Sequence, residues 1–166
     1  MIFLIGYMGS GKTTKGRNLA RALQIPFIDL DSKIEEKKGQ SISEIFEKEG
    51  EQSFRETEAS VLRSLKSDSL MVISTGGGTP CFYENMQWMN DNGLTIYFEM
   101  PAAALYSRLK NAKKKRPLLM QQQDPEAFIA KHLKEREIYY RQAKYTINGL
   151  SIDSLELANE IHAMLS

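Results

Sequence analysis

Short hydrophobic runs along this chain alternate with segments in which apolar residues recur every three or four positions. The short runs predict five β-strands, at residues 1–5, 25–31, 70–74, 94–99 and 145–148. The periodic segments predict helices at residues 14–23, 32–38, 41–65, 83–90, 125–144 and 154–165, and one that begins at Pro101. This alternation predicts a five-stranded parallel sheet covered by helices on both faces. We therefore expect a single three-layer α/β/α domain over residues 1–166.

Local signals mark several helix ends. Ser41-x-x-Glu44 is a capping box, which predicts a helix start at this point. Gly39 should end the helix before it, and Gly50 should break the helix after it into two. Pro101 is expected at the first position of its helix, where the missing N–H costs nothing.

A glycine-rich stretch between the first predicted strand and helix organises the chain. It reads Gly6-Tyr7-Met8-Gly9-Ser10-Gly11-Lys12-Thr13-Thr14 and fits the phosphate-binding pattern Gly, four residues, Gly-Lys-Ser/Thr. Between a strand and a helix, successive N–H groups and the helix N-terminus can hold a polyphosphate. We expect Lys12 to reach the β- and γ-phosphates of a nucleotide and the Thr13 hydroxyl to bind Mg²⁺. An ordinary strand–turn–helix is disfavoured, because a lysine in the first turn opposes the helix dipole unless an anion is present.

Two acidic residues near the end of the second predicted strand, Asp29 and Asp31, are the candidate partners of this metal. The third strand runs into residues 74–76 without a carboxylate, so further oxygen ligands must come from elsewhere. The carboxyl ends of parallel strands meet at one edge of the sheet, where both residues should join the phosphate loop and Gly76-Gly77-Gly78. We expect the two to alternate along the strand and not to share one direction, so that one could serve the metal and the other a substrate hydroxyl. Glu99 is a weaker candidate, and the pair could instead only cap the next helix.

Composition and charge narrow the class of protein. The net charge is +1, so no overall field favours nucleic acid or a membrane surface. The basic run 113–116 lacks interleaved aromatic residues, which disfavours a nucleic-acid patch. No apolar run reaches the length of a membrane span, and Met1 already belongs to the first strand, so we expect no signal peptide. The single cysteine, Cys81, excludes an internal disulfide and fits the cytoplasm, with a bystander role for its thiol.

Motifs of other nucleotide-binding classes are absent. The Asn-Lys-x-Asp base-reading motif of GTPases does not occur, and neither do the His-Arg-Asp and Asp-Phe-Gly signatures of protein kinases. What remains is a small nucleotide-dependent kinase that acts on a small molecule.

Taken together, the motifs resemble the shikimate kinase family. They follow one another in order and span most of the chain: Gly6-x-x-Gly9-x-Gly11-Lys12-Thr13-Thr14-x-Gly16, Phe27-x-Asp29-x-Asp31, Phe54-Arg55-x-x-Glu58, Thr75-Gly76-Gly77-Gly78, Arg116-Pro117-Leu118-Leu119 and Arg136-x-x-x-Tyr140. The resemblance implies a nucleoside-monophosphate-kinase-like P-loop fold. It also implies transfer of the γ-phosphoryl group of Mg-ATP to the 3-hydroxyl of shikimate.

The resemblance assigns a role to each matching residue. Asp31 would contact the substrate hydroxyls and act as base, and Asp29 would help to hold Mg²⁺ through water. Arg55 and Arg136 would grip the substrate carboxylate, while the backbone at Gly76, Gly77 and Gly78 lines its ring. Glu58 could orient Arg55, or be an ordinary surface partner, and Phe46 and Phe54 could wall the pocket or simply pack in the core. Catalysis would rest on Lys12, Asp31 and Arg116.

The nucleotide site and the flexible parts follow from the same resemblance. ATP would lie on Gly9 to Thr14, with Arg108 against adenine and Arg116 closing from a mobile lid at about residues 111–124. A helical region at about residues 31–62 would bind the substrate. We expect a monomer. Another small-molecule P-loop kinase, such as a gluconate kinase, and a nucleotide-binding module without catalysis remain alternatives.

The chain also departs from the family pattern in the segment after Arg136. Ile138 stands where the family often has proline, and Ala143 comes one place early. No arginine follows Arg141, so an arginine often found in the family's adenine loop is missing. These departures leave open how this chain holds the adenine.

Overall fold

The computed structural model of this chain describes residues 1–65, 70–112, 119 and 121–165. Within them, the strands are β1 (Ile2–Ile5), β2 (Phe27–Asp29), β3 (Val72–Ser74), β4 (Leu94–Glu99) and β5 (Tyr145–Asn148). The helices are α1 (Lys12–Leu23), α2 (Leu30–Lys38), α3 (Ile42–Ser64), α4 (Asn85–Asn92), α5 (Ala102–Lys110), α6 (Pro125–Tyr140) and α7 (Ser154–Leu165), with a 3₁₀ turn at Thr79–Cys81. No helix in these ranges is long and apolar enough to cross a membrane.

All five strands pair in parallel, in the order β2-β3-β1-β4-β5. The register sets Ser74 of β3 beside Asp29 of β2 on one side and Leu4 of β1 on the other. The ends of three strands therefore meet beside the loop that leaves β1. This is the sheet edge where α/β proteins bind ligands.

Helices cover both faces of the sheet, and the core forms two clusters accordingly. Phe3 and Ile5 of β1 pack in the cluster that α2 to α6 complete, whereas Ile2 and Leu4 pack in the cluster of α1 and α7. All four β1 residues are fully buried. Successive residues of a strand face opposite sides, so a sheet covered on both faces needs a continuous apolar run here. The predicted three-layer α/β/α fold is confirmed.

Several predicted boundaries are confirmed, and others shift. Gly39 ends α2 in the left-handed conformation, with φ of 63°. Ser41 and Glu44 form the predicted capping box, and Gly50, with φ of 84°, interrupts α3. Pro101 is the N-cap of α5 rather than its first residue, so that prediction is wrong by one position.

Two other helices differ from the prediction more clearly. α6 ends at Tyr140, four residues before the predicted end at Lys144. Residues 141–144 form turns and bends instead of a further helical turn. The predicted helix at residues 83–90 forms as α4, two residues later at each end. The lid residues 113–118, with Arg116, lie outside the described part of the chain.

Candidate active site

The phosphate loop connects β1 to α1 at the centre of the sheet. Gly9 and Gly11 have φ of 82° and 89°, in the left-handed region that favours glycine. A side chain on Gly9 would also meet Leu109 Cγ at 3.0 Å. Gly11 is the N-cap residue of α1 and offers no side-chain hydrogen bond to the helix, and the first turn of α1 contains no acidic residue. The N-terminal N–H groups of α1 are therefore available to an anion.

Lys12 lies inside this loop rather than on its surface. Its ammonium donates to Gly6 O at 2.7 Å, to Tyr7 O at 2.9 Å and to Ser10 Oγ at 3.4 Å, and the residue is only 7% exposed. The Ser10 side chain is fully buried, so it supports the loop instead of lining the hollow beside it. The backbone of Gly9 and Gly11, together with Lys12, Thr13 and Thr14, does line that hollow.

Oxygen atoms from three elements gather at the predicted metal position. Thr13 Oγ1 donates to Asp29 Oδ2 at 2.9 Å and lies 3.3 Å from Ser74 Oγ. Asp29 Oδ1 also accepts from the N–H of Ser32, so Asp29 caps α2 and faces the loop at once. An all-oxygen donor set is what Mg²⁺ prefers, so these residues fit the ion. Ser74 was not predicted, although a hydroxyl at the end of a strand next to β1 is a signal that could have found it.

Asp31 corrects the strand prediction. The second strand ends at Asp29, and Asp31 lies in the first turn of α2. Residues two positions apart on a strand face the same side, so the argument that the two carboxylates must diverge was wrong even for a strand, and both line the hollow beside the phosphate loop. Asp31 Oδ1 comes within 3.2 Å of the position that a Cβ on Gly76 would take. Asp31, Gly76 and Gly77 also line an adjoining hollow, which joins the two spaces.

A buried ion pair forms one wall of this adjoining hollow. Arg55 Nη1 donates to Glu58 Oε2 at 2.9 Å, and Glu58 Oε1 accepts from Thr79 Oγ1 at 2.6 Å. Glu58 is fully buried, so the pair with Arg55 is not the surface pair that was the alternative. The guanidinium of Arg55 also lies 4.3 Å from the ring centre of Phe82 and 3.4 Å from Glu51 Oε1.

Arg136 of α6 faces Arg55 across the glycine triplet. Its Nη1 lies 3.3 Å from the position of a Cβ on Gly77, and a Cβ on Gly78 would lie within 2.8 Å of the guanidinium of Arg55. Any side chain at Gly78 would therefore displace Arg55 from its pair. Tyr140 donates from its hydroxyl to Gly77 O at 2.5 Å, which ties α6 to this loop. The structure thus brings together Arg55, Arg136 and the triplet, as predicted.

An unpredicted contact joins the phosphate loop to α6. Tyr7, which is buried, shares a hydrogen bond of 2.9 Å between its hydroxyl and Nδ1 of His132, and the two rings meet edge to face at 5.5 Å. Burial lowers the pKa of His132, and the charge of Arg136 lowers it further. A neutral imidazole can accept the Tyr7 hydroxyl hydrogen at Nδ1. His132 lines the same hollow as Arg55 and Arg136.

The sequence profile described as shikimate kinase matches residues 8–166 of this chain. The chain belongs to the shikimate kinase family. A shikimate kinase of Bacteroides fragilis is 49% identical over 146 residues, which cover 87% of this chain and 82% of that relative.

Solved structures agree with the sequence comparison. A crystal structure of shikimate kinase from Bacteroides thetaiotaomicron has a TM-score of 0.88 at 42% identity, covering 99% of this chain and 97% of that one. A shikimate kinase from Acinetobacter baumannii, solved in complex with shikimate, has a TM-score of 0.86 at 40% identity, covering 99% and 91%. The fold is therefore the nucleoside-monophosphate-kinase-like P-loop fold of shikimate kinases.

Three remaining candidates line neither of the two hollows. Arg108 of α5 donates to Gly9 O at 3.5 Å, at the outer side of the phosphate loop. Glu99 forms an ion pair of 2.8 Å with Arg141 and does not line the hollow of Thr13 and Asp29, so the structure does not support it as a metal partner. Burial raises the pKa of Cys81 to about 11, which makes it a poor nucleophile, as predicted for a bystander.

Proposed function

We propose that this chain transfers the γ-phosphoryl group of ATP to the 3-hydroxyl of shikimate, giving shikimate 3-phosphate for aromatic amino-acid biosynthesis. Membership of the shikimate kinase family makes the chain an ATP-dependent kinase. The observation that carries the choice of acceptor is the pair Arg55 and Arg136 in one hollow that opens onto the phosphate loop at Asp31. Two guanidinium groups suit a planar carboxylate and fix the orientation of the ring that bears it.

The nucleotide lies on the phosphate loop in this proposal. The N–H groups from Gly9 to Thr14 and the N-terminus of α1 hold the phosphates, and the Lys12 ammonium moves onto their oxygens as negative charge develops. Thr13 and Asp29 would hold Mg²⁺, directly or through water. When bound, this ion neutralises charge on the β- and γ-phosphates.

The acceptor lies in the adjoining hollow. Glu58 and Glu51 hold Arg55 so that its guanidinium is in place before the carboxylate arrives, and such preorganisation reduces the cost of binding. The ring lies against the backbone of Gly76, Gly77 and Gly78, where side chains would block it. Phe46 and Phe54, whose ring centres lie 4.6 Å apart, form an apolar wall of the hollow.

Asp31 is the base in this arrangement. It lies at the junction of the two hollows, where a hydroxyl of the acceptor would meet the γ-phosphate. Its carboxylate accepts the hydroxyl proton as the oxygen attacks phosphorus, and ADP leaves with the bridging oxygen. Phosphoryl transfer depends mainly on position and charge stabilisation, so a base of ordinary strength is sufficient.

Further parts of the proposal rest on the sequence. Residues 111–124 act as a mobile lid and bring Arg116 onto the phosphates, and residues 31–62 form the helical region that binds the acceptor. Arg108 lies against the adenine. The near-neutral charge disfavours binding to nucleic acid or membranes, and the single cysteine fits the cytoplasm. The chain acts as a monomer in this proposal.

A panel of acceptors tests the proposal. ADP formation from Mg-ATP would be measured with shikimate, quinate, gluconate and nucleoside monophosphates. We expect the highest kcat/KM for shikimate, because gluconate lacks a rigid ring and nucleotides carry phosphate instead of carboxylate. Phosphorylation of gluconate in preference to shikimate would contradict the acceptor assignment. Nucleotide binding without ADP formation in any reaction would indicate a module that lacks catalysis.

A further inference from the structure

Lys15, in the first turns of α1, joins the phosphate loop helix to the connection between β5 and α7. Its ammonium donates to Gly149 O and to Ile152 O, both at 2.8 Å. These two carbonyls belong to residues 149–153, which we call the outer loop. The contact spans more than 130 positions of sequence, and neither the fold nor the phosphate loop motif requires it.

The outer loop is otherwise held by short-range bonds. The N–H of Gly149 donates to Glu99 O at 2.9 Å, and a Cβ at this glycine would lie 2.8 Å from Met100 Cγ. The N–H of Leu150 donates to Asn148 Oδ1 at 2.9 Å. These bonds fix the start of the loop against β4. At its far part, the N–H of Ile152 donates to Asn148 O at 3.1 Å and its side chain packs against the core cluster of α1 and α7, while the Lys15 bond holds its carbonyl against α1.

The position of the outer loop relates it to the nucleoside part of ATP. The γ-phosphate must lie at the inner end of the phosphate loop, because Asp31 and Gly77 connect that end to the acceptor hollow. The nucleoside then lies away from β2, toward the ends of β4 and β5 on the other side of β1, where the outer loop begins. Arg108 of α5 donates to Gly9 O of the phosphate loop at 3.5 Å; burial and then the charge of Arg108 lower the pKa of Lys15, whereas Asp153 raises it. Residues of α1, α5 and the outer loop therefore converge at the nucleoside end.

We propose that Lys15 is a positioning residue for the nucleotide, because it holds the outer loop as a fixed wall of the nucleoside site. The proposal rests on the proposed nucleotide site but not on the identity of the acceptor. Without the ammonium, the carbonyls of Gly149 and Ile152 turn to water, and ATP must order the loop when it binds. That ordering lowers affinity even though Lys15 touches no part of ATP.

Comparing the binding of two probes distinguishes the positioning role of Lys15 from simple attraction of the phosphates by its positive charge. The affinities of Mg-ATP and of inorganic tripolyphosphate with Mg²⁺ would be measured by calorimetry, without acceptor, for wild type and Lys15→Met. Methionine keeps the unbranched stem and loses the donors. Lys144→Met is the matched control, since Lys144 also donates to a loop carbonyl, Gly93 O at 2.9 Å, at the opposite edge of the sheet. Lys15→Arg, which can still donate to two carbonyls, is the conservative variant.

We expect Lys15→Met to weaken Mg-ATP binding by roughly three- to tenfold, the loss typical of one or two hydrogen bonds. Tripolyphosphate binding should change by less than about twofold, because this probe has no nucleoside. Lys15→Arg and Lys144→Met should stay near wild type with both probes. Unchanged ATP affinity in Lys15→Met, or an equal loss for both probes, would overturn the proposal. If the wild-type chain bound no ATP, both the role of Lys15 and the proposed nucleotide site would be wrong. An error in the assigned acceptor would not change either binding measurement, because no acceptor is present.

Discussion

Lys12 is the residue on which the nucleotide chemistry depends most directly. Its ammonium already lies within the phosphate loop, bonded to Gly6 O and Tyr7 O. Lys12→Ala should lower turnover by about 10²- to 10³-fold, as removal of one preorganised donor does in other enzymes. Steady-state kinetics would measure the loss, and circular dichroism would check the fold. Lys33→Ala, at an exposed pair with Glu36, is the control. Near-normal turnover of Lys12→Ala would refute the nucleotide site.

The two acidic partners of Arg55 offer a matched pair of variants. Glu58 is fully buried, and its loss would leave the Arg55 guanidinium and the Thr79 hydroxyl without their acceptor. Glu58→Ala should therefore cost about 3–5 kcal/mol of unfolding free energy and raise KM for the acceptor. Glu51 contacts the same guanidinium at 3.4 Å, but its side chain is 58% exposed. Glu51→Ala should therefore lower the unfolding free energy by less than about 1 kcal/mol. Equal losses for both variants, by urea unfolding, would contradict this account of Arg55.

At the scale of elements, the Tyr7–His132 bond joins β1 and its loop to α6 and makes stability depend on pH. The pKa of His132 is lowered in the fold by burial and by Arg136, then by Arg55 more weakly, while Glu135 and Glu51 oppose them. Well above its ordinary value of 6.5, His132 is neutral in both states and contributes no pH dependence. Below 6.5, the unfolded chain takes up the proton first, so the unfolding free energy falls as the pH falls.

Replacement of His132 isolates this contribution. His132→Gln cannot titrate, so its unfolding free energy should fall less steeply between pH 7.5 and pH 5.5 than that of wild type. Urea unfolding of both proteins at several pH values would measure the difference, and carboxyl groups common to both cancel. Parallel curves would show that His132 is not held neutral by the fold. Tyr7→Phe, which keeps the ring and removes the hydroxyl, should lower stability while keeping most of the slope.

The sequence predicted the elements well, because their signals are local. Hydrophobic runs located the strands, and Gly39, Gly50 and the Ser41 capping box marked helix ends without any knowledge of packing. The element of Asp31 was wrong because Leu30 continues the apolar run of β2, although Asp29 already caps α2 at that point. Residue propensity alone does not show which of the two aspartates is the N-cap at which the strand ends and the helix begins.

The same contrast between local and long-range signals applies to the site residues. Lys12, Thr13 and Asp29 were predicted from a compact motif and its neighbouring strand. Glu58 was predicted as a possible partner of Arg55, but two other contacts that hold the site rigid were not predicted. The bond of Glu58 to Thr79 joins residues 21 positions apart, and that of Tyr7 to His132 joins residues 125 apart. Contacts of this kind leave no periodic signal, since each partner only has to reach the right place in the folded chain.

At the scale of the whole molecule, closure of residues 111–124 should protect the transferred phosphoryl group from water. Arg116 would supply a cation only in the closed state, so Arg116→Ala should lower kcat more than it weakens binding of shikimate. Hydrogen exchange of this segment in apo, ATP-analogue and ternary states would accompany the kinetics. Equal exchange in all three states together with an unchanged kcat would show that closure has no part in the reaction.

The central claim is that Arg55 and Arg136 select an acceptor by its carboxylate, next to a loop that holds ATP. The most direct measurement compares kcat/KM for shikimate and for its neutral methyl ester, in wild type and in Arg136→Met. Arg136 is the better arginine to replace, because loss of Arg55 also leaves Glu58 buried without its cation. In wild type we expect the acid to be favoured by roughly 30-fold or more, which corresponds to about 2 kcal/mol or more for a charged pair. In Arg136→Met that preference should fall clearly, because only Arg55 remains to bind the carboxylate. A preference that stays as large in the variant as in wild type would contradict the account.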